Sequence, residues 1–94
     1  MKLQDQLDKY TIEKIRNIPK KICEILIIDI DEYHNLQNTD KKKKDELDQE
    51  LINFKKTQDY LGFYNKDNFR IYVKSTWLSK TVCERRILDF LKGN

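Results

Sequence analysis

The chain contains no alanine, two glycines, one proline and one histidine among its 94 residues. Each scarcity removes a class of function. Two glycines leave no Gly-rich loop whose backbone could cradle a phosphate. The longest apolar run, Ile25 to Ile28, is far short of the roughly 18 residues that a membrane-spanning helix needs. The opening residues Met1-Lys2-Leu3-Gln4-Asp5 carry no apolar stretch after the positive charge, so no secretory signal is expected. The two cysteines, Cys23 and Cys83, follow no metal-ligand spacing. They are expected as buried free thiols in a reducing compartment, the cytoplasm; a disulfide would fit only a hyperthermophilic source. His34 has no Ser or Cys at a catalytic spacing, which leaves it as a surface or partly packed side chain. The missing and rare residues have GC-rich codons, whereas the abundant Lys, Ile, Asn and Tyr have AT-rich ones. The expected source is an AT-rich genome: a low-GC microbe, a phage, a mobile element or an archaeal virus.

What remains is enough for a single small domain over residues 1–94. Apolar residues make up 38% and charged residues 37%, a small core inside a wet surface rather than a disordered tail. A second copy, forming a homodimer, or a protein partner could complete so modest a core. The net charge of +3 is too small to demand a nucleic-acid partner. Its distribution is more informative. Lys80, Arg85, Arg86 and Lys92 face only Glu84 and Asp89 in the last sixteen residues.

Periodicity gives a first set of elements. Leu3, Leu7 and Tyr10 have helical spacing, which predicts a helix over 3–16. Pro19 sets a break near Asn17 and fits the first turn of a new helix. Lys20 to Gln37 reads either as a helix or, over Ile22–Ile30, as a β-branched strand buried on both faces. The absence of Gly and Pro favours the helix, while Asp29 on its apolar stripe opposes it. Asn38-Thr39-Asp40 is a turn with an N-cap. A helix over 41–62 follows, with Leu47, Leu51, Phe54 and Leu61 as its seam and Gly62 as its stop. In the helical reading Leu36 lies near Leu47 and Tyr33 near Leu51, an antiparallel hairpin. Phe69–Lys74 alternates as a strand does, yet also fits a helix. A lone strand cannot satisfy its backbone, so segments 22–30 and 69–74 are strands together or helices together. Ser79 caps a last helix, Lys80–Leu91, with Val82, Ile87, Phe90 and Leu91 inward.

Four groups of residues carry candidate chemistry. Tyr72 to Ile87 resembles a helix-turn-helix motif, with a turn before Ser79, a Thr81-Val82 pair and then arginines. That resemblance implies DNA contact by Ser79, Lys80, Thr81, Arg85 and Arg86, the hydroxyls on phosphates and the arginines on bases or backbone. It departs from the motif at Trp77, where the turn usually has Gly, and in a short spacing after Ser79. Ile27-Ile28-Asp29-Ile30-Asp31-Glu32-Tyr33-His34 resembles the acidic strand end of PD-(D/E)xK-type nucleases, which would imply a divalent metal. No second acidic strand or following Lys completes that set, and a solvated acidic helix end is the simpler expectation. Lys41–Lys44 is four successive lysines, expected as a solvated turn that could also touch phosphate. Tyr60, Phe63, Tyr64, Phe69, Tyr72 and Trp77 hold six of the ten aromatics within eighteen residues. They are expected either as core or, at Tyr60, Tyr64 and Trp77, as a partner-binding hot spot.

The expected fold is mainly α: a small helical domain with a central helical hairpin and a helix-turn-helix-like C-terminal pair. The alternative is a small α+β domain with two strands, about 22–30 and 69–74. The expected core contains Leu26, Leu51, Phe54, Tyr72, Trp77, Ile87 and Phe90. The expected function is a non-catalytic, DNA-binding regulatory module with no metal and no cofactor. The alternatives are a small protein-binding regulator or inhibitor and, third, a divalent-metal nuclease-like fragment.

Overall fold

A computed structural model describes residues 2–93. It shows an α+β fold around a three-stranded antiparallel sheet, not a mainly helical one. The strands are β1 (Glu24–Asp29), β2 (Tyr60–Lys66) and β3 (Phe69–Lys74), in the order β1-β3-β2. The alternative fold was closer, but it lacked β2.

The two ambiguous segments are both strands, paired from Glu24↔Lys74 to Asp29↔Phe69. The physical reason lies in burial on both faces. Ile25, Ile27, Ile71 and Val73 join the main core with Tyr64. The alternate residues Ile28, Arg70 and Tyr72 face a cleft beneath the next two helices. A helix would have wasted one of these apolar sets on solvent. Asp29, awkward on a helical stripe, instead caps the helix that follows: its Oδ1 accepts from the Glu32 N–H at 3.1 Å.

The N-terminal helix is broken. Helix α1 (Leu3–Gln6), a 3-10 turn (Leu7–Lys9) and helix α2 (Ile12–Arg16) replace one helix over 3–16. Thr11 is the cause: its hydroxyl accepts from the Lys14 N–H at 3.2 Å and so serves as a cap rather than an interior residue. The chain does turn at Asn17, but Pro19 opens a turn, with its carbonyl accepting from Ile22 N–H at 2.9 Å, rather than a helix. Gln4 clamps the Asn65 backbone, donating to its carbonyl at 2.7 Å and accepting from its N–H at 2.8 Å, which blunts the edge strand β2.

Helices α3 (Ile30–Thr39) and α4 (Lys41–Lys56) form the hairpin, with Asp40 capping α4 through the Lys43 N–H at 3.1 Å. Helix α4 stops at Thr57 rather than Gly62, and none of its residues is fully buried. Gly62 instead sits at the irregularity in β2 with φ 138, a conformation that side chains rarely adopt. The last helix, α5 (Lys80–Lys92), buries Cys83, Ile87, Leu88 and Leu91 against the sheet and α1. Gly93, at φ 86, closes it.

Of the expected core, Tyr72 and Ile87 are buried, while Leu26, Leu51, Phe54 and Phe90 are only half-buried. Trp77 is 78% exposed and lies outside the core. Among the described residues no helix is long and apolar enough to cross a membrane.

Candidate functional site

The helix-turn-helix resemblance does not survive the fold. Tyr72, Val73 and Lys74 belong to the central strand, and residues 75–79 are irregular, so α5 has no preceding helix to pair with. What the segment builds instead is a pinned loop. The buried Ser75 donates its N–H to the Asp59 carbonyl at 3.0 Å. Its hydroxyl donates to the Ile22 carbonyl at 3.0 Å and accepts from the Leu78 N–H at 3.2 Å. Thr76 reaches the Asp59 carboxylate at 3.3 Å. Ser79 then caps α5 by accepting from the Val82 N–H at 3.4 Å. Leu78 packs against the core, which leaves its neighbour Trp77 outside.

The indole therefore projects from a fixed loop at the start of α5. Beside it lies a small hollow whose lining includes Lys20, Glu24, Lys74 and Thr76. Lys74 pairs with Glu24 at 3.4 Å and lies over the Phe54 ring at 4.7 Å. Lys20, in this hollow, and Lys80, at the start of α5 with its Nζ near Gly62 of β2, are exposed and form no ion pair among the described residues. An exposed indole offers a large π-face, and two unpaired ammonium groups offer charge for phosphate.

The other expected contacts divide cleanly. Ser79 spends its hydroxyl on the helix cap. Thr81, Arg85 and Arg86 are exposed on the outer side of α5, whereas Lys80, also exposed, starts the helix on its sheet-facing side with its Nζ near Gly62 of β2. Thr81 and Arg85 line a groove together with Glu84, Asp89 and Lys92. Arg86 is turned about 100° away from Arg85 around the helix. Tyr64 is buried and donates its hydroxyl to Glu84 at 2.6 Å. Burial, followed by that carboxylate, pushes the phenol well above its ordinary range, and the ring is not offered to a partner. Tyr60 is half-buried, edge-to-face on Phe54 at 6.3 Å, and burial raises its phenol too. Of the three aromatic candidates only Trp77 is presented. Lys20 and Lys74 were missed, because nothing in sequence spacing connects either with position 77. Phe63, on β2, is 46% exposed and was also missed as a surface group.

In the acidic segment only Asp29 has a structural role among the described residues. Asp29 caps α3 and also accepts from the Asn68 side-chain amide at 2.8 Å, while Asp31 and Glu32 are exposed. Among the described residues no group of three or more His, Cys, Asp or Glu side chains could hold a metal ion. Lys41, Lys42 and Lys43 are exposed, and Lys44 pairs with Asp48 at 3.0 Å. Tyr33 donates its hydroxyl to the same carboxylate. Those two bonds lower the Asp48 carboxyl, and bonding to Asp48 raises both the Tyr33 phenol and the Lys44 ammonium. Cys23 and Cys83 are free and buried; contact with Cys83 raises Cys23, and contact with Cys23 lowers Cys83. Compared with known proteins, the chain matches no family model, no curated protein and no solved structure.

Proposed function

We propose that this chain is a non-catalytic module that binds single-stranded nucleic acid, with Trp77 stacking on an unpaired base. Lys20 and Lys80 contact the flanking phosphates, and the outer side of α5, with Thr81, Arg85 and Arg86, extends the basic track. The observation that carries this reading is the 78% exposure of Trp77 on a loop whose backbone is otherwise tied down. A single strand fits better than a duplex, because α5 lies along the sheet without a supporting helix and bases in a duplex are already stacked. Stacking on an aromatic side chain contributes about 1–3 kcal/mol per base and tolerates any sequence.

A protein partner would use the same indole, and an exposed Trp is a common hot spot. The unpaired Lys20 beside it, with Lys80 three residues on near Gly62, weighs against that partner, since lysine is depleted at the centres of protein interfaces and favoured at phosphates. The reading places the chain in a microbial cytoplasm, or in a host's cytoplasm if the source is a phage, where two free thiols persist.

The test is affinity for a thymidine oligonucleotide and for its duplex, at two salt concentrations. Trp77→Ala should weaken single-strand binding by roughly 10-fold or more, the equivalent of one stacked base. Lys20→Gln and Lys80→Gln should each flatten the salt dependence. Binding indifferent to Trp77, or no single-strand binding at low salt, would put a protein partner first.

A further inference from the structure

A second site lies between the α3–α4 hairpin and the adjoining face of the sheet. It is a half-open cleft of about 240 Å³. It shares no lining residue with the hollow beside Trp77. Arg70, Lys55 and His34 bring three basic side chains to its wall, Tyr33 and Tyr72 bring two phenols, and Leu51 stands among its apolar residues. No carboxylate among the described residues lines it. Asp48, which accepts the Tyr33 hydroxyl, is already held by Lys44 at 3.0 Å.

Arg70 has unfinished chemistry. Its Nε is buried without a hydrogen-bond partner. One terminal nitrogen reaches the Tyr72 hydroxyl only at 3.5 Å, and the guanidinium lies over the Phe63 ring at 4.9 Å. It forms no ion pair among the described residues. Lys55 is likewise unpaired and hangs over the Tyr72 ring at 5.2 Å. A buried guanidinium N–H without an acceptor is costly and is normally satisfied. An anion with several acceptor oxygens satisfies it and balances the neighbouring charge.

We infer that the cleft binds a small phosphate monoester whose organic part is apolar or aromatic. A guanidinium and an ammonium side by side call for a dianion, which a phosphate monoester provides and a single carboxylate does not. Leu51, Ile28 and Ile30 take the organic part.

Phenyl phosphate is the probe, titrated into the full chain and followed by NMR at Tyr33, His34 and Tyr72, with inorganic phosphate and phenol as controls. Phenyl phosphate should bind more tightly than either control. Lys55→Gln, on the exposed face of α4, should weaken it by roughly tenfold. Arg70→Gln should do so at least as strongly, with circular dichroism showing the fold retained. An affinity unchanged in Lys55→Gln would overturn the inference even if Arg70→Gln failed to fold. Shifts no larger than those given by inorganic phosphate would also overturn it, because no organic moiety would then be recognised.

Discussion

Replacing Ile87 and Trp77 by alanine, one at a time, separates the core from the surface. Ile87 is 2% exposed on the inner side of α5, among Cys83, Leu88 and Leu91. Alanine removes three carbon atoms. At about 0.8 kcal/mol each, the transfer loss is roughly 2.4 kcal/mol. The remaining cavity, in a core held by strands on one side and α1 on the other, adds about 1 kcal/mol. The expected cost is about 3.5 kcal/mol, a fall of roughly 15–25 °C in Tm for a domain of this size. Trp77, though the larger side chain, is 78% exposed, so Trp77→Ala should change stability by less than about 0.5 kcal/mol. Phe54→Ala should fall between them, near 1.5 kcal/mol, because the ring is half-buried against Tyr60 and Lys74. Urea unfolding followed by circular dichroism measures all three. A Trp77→Ala loss above about 1.5 kcal/mol, or an Ile87→Ala loss below 1 kcal/mol, would refute the assignment of which side of the loop faces inward.

Ser75→Ala should cost about 1–3 kcal/mol in the same assay, since it strands the Ile22 carbonyl and the Leu78 N–H. Gly62→Ala should cost about 1–3 kcal/mol from backbone strain at φ 138 alone, because the nearest atom to a new Cβ is the flexible Lys80 Nζ at 3.9 Å. The Asp48 carboxyl is lowered by its bonds from Tyr33 and Lys44, so its contribution is present above the ordinary carboxylate value and lost as pH falls through its folded value. Asp48→Asn should therefore lower stability slightly at neutral pH and make it less sensitive to acid; equal acid sensitivity in both proteins would refute the network.

Much of the local structure was legible. The Asp40 and Ser79 caps and the break at Asn17 all lie where short-range chemistry puts them. The coupling of segments 22–30 and 69–74 also held, because a strand's backbone must be paired. What was not legible is which way the coupled pair resolves. Continuous β-branched runs satisfy both periods, and burial on two faces is decided only by distant partners. Strand β2 was hidden by Leu61 and Gly62, which mimic the end of the preceding helix. Trp77 was misplaced because a large aromatic is inward by default, and only the Ser75 and Leu78 contacts turn it out. The residues around it come from positions 20, 24 and 74, which the sheet alone brings together.

Trp77 is the chain's only tryptophan, so its intrinsic fluorescence reports directly on the proposed contact. Adding a single-stranded thymidine oligonucleotide at low salt should quench that emission to saturation, and raising the salt should reverse it. Lys20→Gln/Lys80→Gln should shift the titration to higher concentration without changing the final quench. Emission unaffected by single strands at low salt would contradict the proposed function.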